Sequence, residues 1–166
     1  MARKVFFSFH FAGDYWRTQQ VRNMGALDGQ TFCTPSAWEE VKKKGAASIE
    51  KWIDDNMAGK SCVLVLTGGE TAERPWVRKE IIKGWNAGKG VLAVRIHKLL
   101  DSSGSSGTFG TNPLSKVTHG PSKKLLSTIA PIYNPSGSAS KEVYESIKDN
   151  VGDWIEEAIA IRKAND

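Results

Sequence analysis

The stretch "SCVLVLTGG" at residues 61–69 limits the possible folds more than any other, because its apolar residues follow one another without a polar alternate and two glycines close the run. A strand with one wet face would alternate. An unbroken run of this length needs a sheet covered on both faces, the setting of a parallel sheet wrapped in helices. The remaining chain supplies matching parts. "VFFSF" (residues 5–9), "QTFCT" (30–34), "VLAVRIH" (91–97) and "STIAPIYNP" (127–135) read as further strands. Helical periodicity fills the gaps between them. "DYWRTQQVRNM" (14–24) carries Trp16, Gln20 and Met24 behind an Asp14 cap, and "GAASIEKWIDDNM" (45–57) puts Ile49, Trp52 and Ile53 on one face. "WVRKEIIKGWNAGKG" (76–90) places Val77, Ile81 and Trp85 at four-residue steps, with Gly88 or Gly90 as its stop. "KEVYESIKDNVGDWIEEAIAIRK" (141–163) closes the chain as a helix through Val143, Ile147, Val151 and Ile155, interrupted in its middle by Gly152.

Strands alternating with helices predict a three-layer α/β fold of the flavodoxin-like kind: about five mostly parallel strands in the order 2-1-3-4-5, right-handed crossovers, and helices on both faces. At 166 residues and 40% hydrophobic content, the whole of residues 1–166 is expected to form one domain that buries about two-thirds of its unfolded surface. Residues 98–128 form a long Gly/Ser/Lys-rich insertion within it, expected to be either functional or mobile.

A formal charge of +5 favours an anionic partner such as a nucleotide. The basic residues are scattered, and their longest run, Lys42 to Lys44, reads as a solvated helix start. No zinc-ligand spacing, aromatic RNA-binding pattern or recognition helix is visible, so neither a metal nor a nucleic acid is an expected partner. Cys33 and Cys62 lie in apolar, strand-like stretches and read as small buried hydrophobes in a reducing compartment. No signal-like segment precedes the first strand and no apolar run is long enough to span a membrane; a cytoplasmic protein with no membrane partner is expected.

In such sheets ligands bind beyond the carboxyl ends of the strands, which directs attention to the loops "HFAGD" (10–14), "PSAWEEVKKKG" (35–45) and "TGGETAERP" (67–75). These loops lack the acidic cluster of a phosphorylation receiver and the phosphate loop of a flavodoxin. No P-loop or dinucleotide fingerprint is present either, since "GSSGTFG" (104–110) follows no strand and opens no helix. His97 and His119 read as incidental. His10 ends the first strand at the ligand-binding edge, between Phe9 and Phe11, which serve either as core packing or as a platform for a planar ring. Glu80 has Trp76 one helical turn before it and Gly84 one turn after, which leaves a niche beside its carboxylate. The competing reading is a surface ion pair with Lys83 or Arg78, the commoner outcome on a helix.

Four passages, "RKVFFSFHF" with "RTQQVRN" behind it, "PSAWEEVKK", "VLVLTGGETAERPWVRKEI" and "GKGVLAVRIHKL" leading into "GTNP", resemble the TIR-like family, and within it the Thoeris anti-phage branch. They cover most of residues 3–113 in the family's order. "WVRKE" corresponds to the Trp-x-x-x-Glu signature of TIR enzymes, although the flanking Ser and Cys common there are Pro75 and Val77 here.

The resemblance implies cleavage of NAD, as substrate rather than cofactor, at the nicotinamide–ribose bond, with Glu80 as the catalytic carboxylate. It implies a cyclic ADP-ribose isomer as product, a diffusible messenger that activates a separate NAD-depleting effector, and a phage-derived trigger. Phe9, His10 and Trp76 would then lie near nicotinamide, with Asp14 and Arg17 behind the first loop as orienting or phosphate-facing groups. Trp38 and Glu39 would close the pocket or take part in self-association, unless Trp38 is a staple packed under its loop and Asp14 a plain helix cap. A non-catalytic adaptor or a nucleotide sensor is the alternative that the same resemblance allows.

Overall fold

The computed structural model describes residues 3–29 and 35–165. In chain order its elements are β1 (Lys4–Phe9), α1 (Phe11–Arg22), β2 (Asp28–Gly29), α2 (Pro35–Lys43), α3 (Ala46–Met57), β3 (Cys62–Thr67), α4 (Pro75–Asn86), β4 (Gly90–Arg95), β5 (Thr118–His119), β6 (Lys124–Leu125), β7 (Ile132–Tyr133) and α5 (Ser140–Ala164). Five strands form one parallel sheet in the order β2-β1-β3-β4-β7, with β7 as the fifth strand of the expected order and β3 at its centre. β5 and β6 pair separately as a short antiparallel hairpin.

The unbroken apolar run of β3 follows from its two neighbours. Leu64 and Leu66, with Val5, Phe7, Leu92 and Val94, pack against Val21 of α1 and Val143, Ile147, Val151 and Ile155 of α5. Val63 and Val65, with Phe6, Val91 and Ala93, pack against Ile49 and Ile53 of α3 and Val77, Ile81 and Trp85 of α4. Alternate residues thus serve opposite cores. Gly84 sets the approach of α4: a Cβ there would fall 2.3 Å from Val63 Cγ2, so the glycine brings the helix down onto β3. The helix stops at Gly88, whose φ of 79° suits a left-handed cap.

Several local expectations change. The expected second strand "QTFCT", and Cys33 with it, lie outside the described residues; the strand beside β1 is Asp28–Gly29. Helix α1 begins directly after β1 with His10 as its N-cap, so Asp14 sits inside the helix and not at its cap. That register buries Asp14, Arg17, Thr18 and Val21 and leaves Trp16 exposed, contrary to the expected Trp16–Gln20–Met24 stripe. "PSAWEEVKKKG" is mostly helix α2, with Lys42 and Lys43 in its last turn, where cations suit the helix dipole; they do not start a helix. Gly152 does not interrupt α5, because Val151 and Ile155 on either side remain anchored in the core.

Residues 98–128 are neither slack nor unstructured. Leu99, Leu114 and Leu126 are fully buried, so the segment contributes side chains to both cores. Cys62 is a free, buried thiol whose pKa is pushed up by burial. Among the described residues no helix is long and apolar enough to cross a membrane.

Candidate active site

Strand β1 ends with Ser8 and Phe9, which point to opposite faces of the sheet. Ser8 shares a face with Phe6 and therefore lies beneath α4. On α4 the stripe Val77–Ile81–Trp85 docks onto the sheet and carries Glu80, at its border, inward. The Ser8 hydroxyl donates to Glu80 Oε1 at 2.6 Å, with Ser8 fully buried and Glu80 only 7% exposed. The ion pair expected from helical spacing does not form. Lys83 Nζ is held by Glu50 and Asp54 of α3, at 3.2 and 2.8 Å, and Arg78 donates to the Ala72 carbonyl. Glu80 is left facing a neutral hydroxyl, and burial pushes its pKa up to about 8 despite the opposing Ser8 hydrogen bond.

Glu80 lines a cavity of about 720 Å³ at the carboxyl end of β1. Of the anticipated site residues, Phe9, His10, Trp38 and Trp76 line it too. One wall is a stack drawn from three elements: Phe9 on Phe11 at 5.3 Å and 23°, and Phe11 on Trp38 at 5.6 Å and 21°. Trp52 of α3 meets Trp38 edge-on at 5.2 Å and backs the stack. Phe9 combines the two roles considered for it, packing against the α1/α5 core while also lining the cavity; Phe11 belongs to helix α1, so strand alternation does not govern it. Trp76, in the first turn of α4, lies under the Lys79 ammonium at 5.5 Å.

His10 Nδ1 is 4.0 Å from Glu70 Oε2. Burial, and then the Arg74 cation, pull its pKa below the ordinary imidazole value, so the ring is neutral at pH 7. Two cations reach the cavity, both already paired: Lys42 with Glu39 at 2.8 Å and the same Arg74 with Glu70 at 3.1 Å.

Asp14 and Arg17 do not line the cavity. They pair with each other at 2.9 Å, and Arg17 also donates to the carbonyls of Leu99 and Ser105, at 2.8 and 2.9 Å. Burial raises the Asp14 pKa and Arg17 opposes the rise. The pair ties helix α1 to the segment that follows β4, and Ser102 of that segment lines the cavity rim. Gly84, expected beside the niche, instead contacts Val63.

Sequence reasoning missed Ser8. Its signal was nonetheless present, a single hydroxyl on the buried part of a β1 face that otherwise carries Phe6, with Lys4 at its exposed start. Among the described residues no group of three or more His, Cys, Asp or Glu side chains could hold a metal ion. The arrangement offers a buried carboxyl group, a neutral imidazole and an aromatic wall able to receive planar rings, in a space suited to a nucleotide-sized ligand.

Comparison with known proteins bears on this geometry. A family profile described as "Thoeris protein ThsB, TIR-like domain" matches residues 6–101, a range that contains Ser8, His10, Trp38, Trp76 and Glu80. A curated relative from Bacillus cereus (strain MSX-D12), named "Putative cyclic ADP-D-ribose synthase ThsB1", is 32% identical over 124 residues, or 68% of this chain and 62% of the relative. The alignment therefore spans somewhat less than two-thirds of that relative's length. By the extent of both matches, on a sheet with the strand order expected of a TIR-like fold, the chain belongs to the family of Thoeris ThsB TIR-like domains.

Proposed function

We propose that this chain cleaves NAD at the nicotinamide–ribose bond and closes the remaining ADP-ribose into a cyclic second messenger. The observation that carries the reading is Glu80: a buried carboxyl at an aromatic-walled cavity, bonded to a neutral hydroxyl and unpaired with either nearby cation. The name of the Bacillus cereus relative points the same way.

Nicotinamide leaves with the electron pair of the C–N bond. Its pyridinium charge is thereby cancelled and no proton has to be supplied. The positive charge passes to the ribose, where an ionised Glu80 stabilises the oxocarbenium-like transition state. The pyridinium of bound NAD also favours the ionised carboxylate, and so helps Glu80 lose its proton once substrate is in place. Phe9, Phe11 and Trp38 supply faces for the planar rings, and their bulk keeps water from the cation. An adenine nitrogen or a hydroxyl of the same molecule can then attack the anomeric carbon; where a hydroxyl attacks, its proton goes to Glu80.

On this reading the product diffuses to a separate effector protein, a phage-derived signal raises the activity, and the protein acts in the cytoplasm, with self-association through α2 as one means of control. The deciding experiment incubates the purified chain with NAD, alone and with lysate of infected cells, and follows the products by mass spectrometry. Nicotinamide and a cyclic ADP-ribose species are expected, and Glu80→Gln abolishes both. Absence of turnover under every condition, or turnover indifferent to Glu80→Gln, overturns the reading.

A further inference from the structure

Ser8 has no reason to be polar on packing grounds. It is fully buried, sits in register with Val65 of β3, and shares its face of the sheet with Phe6 and Val63. A hydroxyl in such a place destabilises the fold unless it finds a partner. Its partner is Glu80 Oε1 at 2.6 Å, across the interface between sheet and helix. Ser8 does not line the cavity, whereas Glu80 does. The serine therefore bonds the carboxyl group without itself lining the cavity. Its backbone lies in β1, in register with Val65 of the central strand β3, which anchors it in the sheet.

Among the described residues Glu80 has no second hydrogen-bond donor to hold it. Lys83, the cation at helical spacing, and Arg78, two residues before, are both engaged elsewhere. Without Ser8 the carboxyl group could rotate and present either oxygen, or neither, to the cavity.

We infer that Ser8 is a positioning residue for Glu80: its hydroxyl holds Oε1 against the sheet and leaves Oε2 to face the sugar of a bound nucleotide. The inference rests on the NAD-cleaving reading of the site. It carries a second consequence, because a donor aimed at a carboxylate favours the ionised form. Ser8 thus governs both the direction of the group and the ease with which it sheds its proton.

The test compares the wild type with Ser8→Ala, Ser8→Cys and Ser8→Thr. One readout is the pH dependence of kcat/KM for nicotinamide release. The other is an NMR titration of glutamate δ-carbons in labelled protein, with the Glu80 signal identified by its loss in Glu80→Gln. In Ser8→Ala the Glu80 midpoint is expected to rise by about one pH unit, with the acid limb of kcat/KM moving alongside and a roughly tenfold loss below that limb. Ser8→Thr returns both toward the wild-type position. Ser8→Cys, a weaker donor of similar size, falls between them and stands in if the alanine variant folds poorly.

A purely structural serine would lower the melting temperature and leave both pH readouts unmoved, and that result overturns the inference. The titration does not depend on turnover. If no variant releases nicotinamide, wild type included, while the midpoint still moves, the coupling of Ser8 to Glu80 stands and the NAD reading falls. If turnover is present and neither readout moves, the positioning inference falls alone.

Discussion

Trp38 of α2 lies nearly parallel to Phe11 of α1, with ring centroids 5.6 Å apart. The contact joins the helix after β2 to the helix after β1 and completes one wall of the cavity, with Trp52 supporting it from behind. Removing the indole exposes the Phe11 ring and takes away a face on which a base can stack. Trp38→Ala is therefore expected to raise KM for NAD about tenfold, or ~1.4 kcal/mol, with a smaller effect on kcat, while Trp38→Phe keeps most of the affinity. Steady-state kinetics check this; a fall in kcat at unchanged KM would assign Trp38 to the transition state instead.

The elevated pKa of Glu80 predicts how stability depends on pH. Its ordinary value is 4.5 and in the folded chain it is about 8. Between these values the folded chain keeps a proton that the unfolded chain has lost, so this group's contribution to stability declines as pH rises from about 4.5 to about 8. The cost is absent below that window and complete above it. Glu80→Gln removes it, so the variant should be more stable than the wild type at pH 8.5, by on the order of 5 kcal/mol, with the gap shrinking toward pH 5. Denaturant titrations at the two pH values measure the difference. An identical gap at both would show that Glu80 does not titrate inside the window.

Arg17 holds together parts of the chain that are distant in sequence, through Asp14 and the carbonyls of Leu99 and Ser105. Arg17→Met leaves Asp14 buried without its cation and frees the segment around Ser102 at the cavity rim. The expected loss of stability is about 3–5 kcal/mol, with faster hydrogen exchange across residues 99–105 than in the central strand. Replacing Asp14 by Asn in the same chain should recover part of the loss, because the buried charge is then gone. Equal exchange rates in wild type and variant would show that the segment is held by its own packing.

Much of the fold was legible because it depends on short-range pattern. The apolar run at residues 61–69, the alternation of strands and helices, and the Val77–Ile81–Trp85 stripe describe elements whose burial follows from periodicity. The first helix was misread because its polar residues, Asp14 and Arg17, face inward while Trp16 faces out. That inversion is made by carbonyl groups more than eighty positions away along the chain, as the Arg17 contact to Leu99 records, and no local pattern carries such information.

Glu80 shows the same division. Its one-turn spacing from Trp76 and its place at the edge of an apolar stripe were readable from the chain itself, because helical geometry sets which residues share a face. Its partner was not readable. Lys83 stands at the right spacing to neutralise it and Arg78 lies close by in sequence, yet α3 supplies Glu50 and Asp54 for the one, and the turn before α4 supplies the Ala72 carbonyl for the other. The neighbours of a carboxyl group along a helix are a property of the sequence, whereas the group it faces depends on which sheet the helix docks against and what that sheet presents. Here that group is the Ser8 hydroxyl.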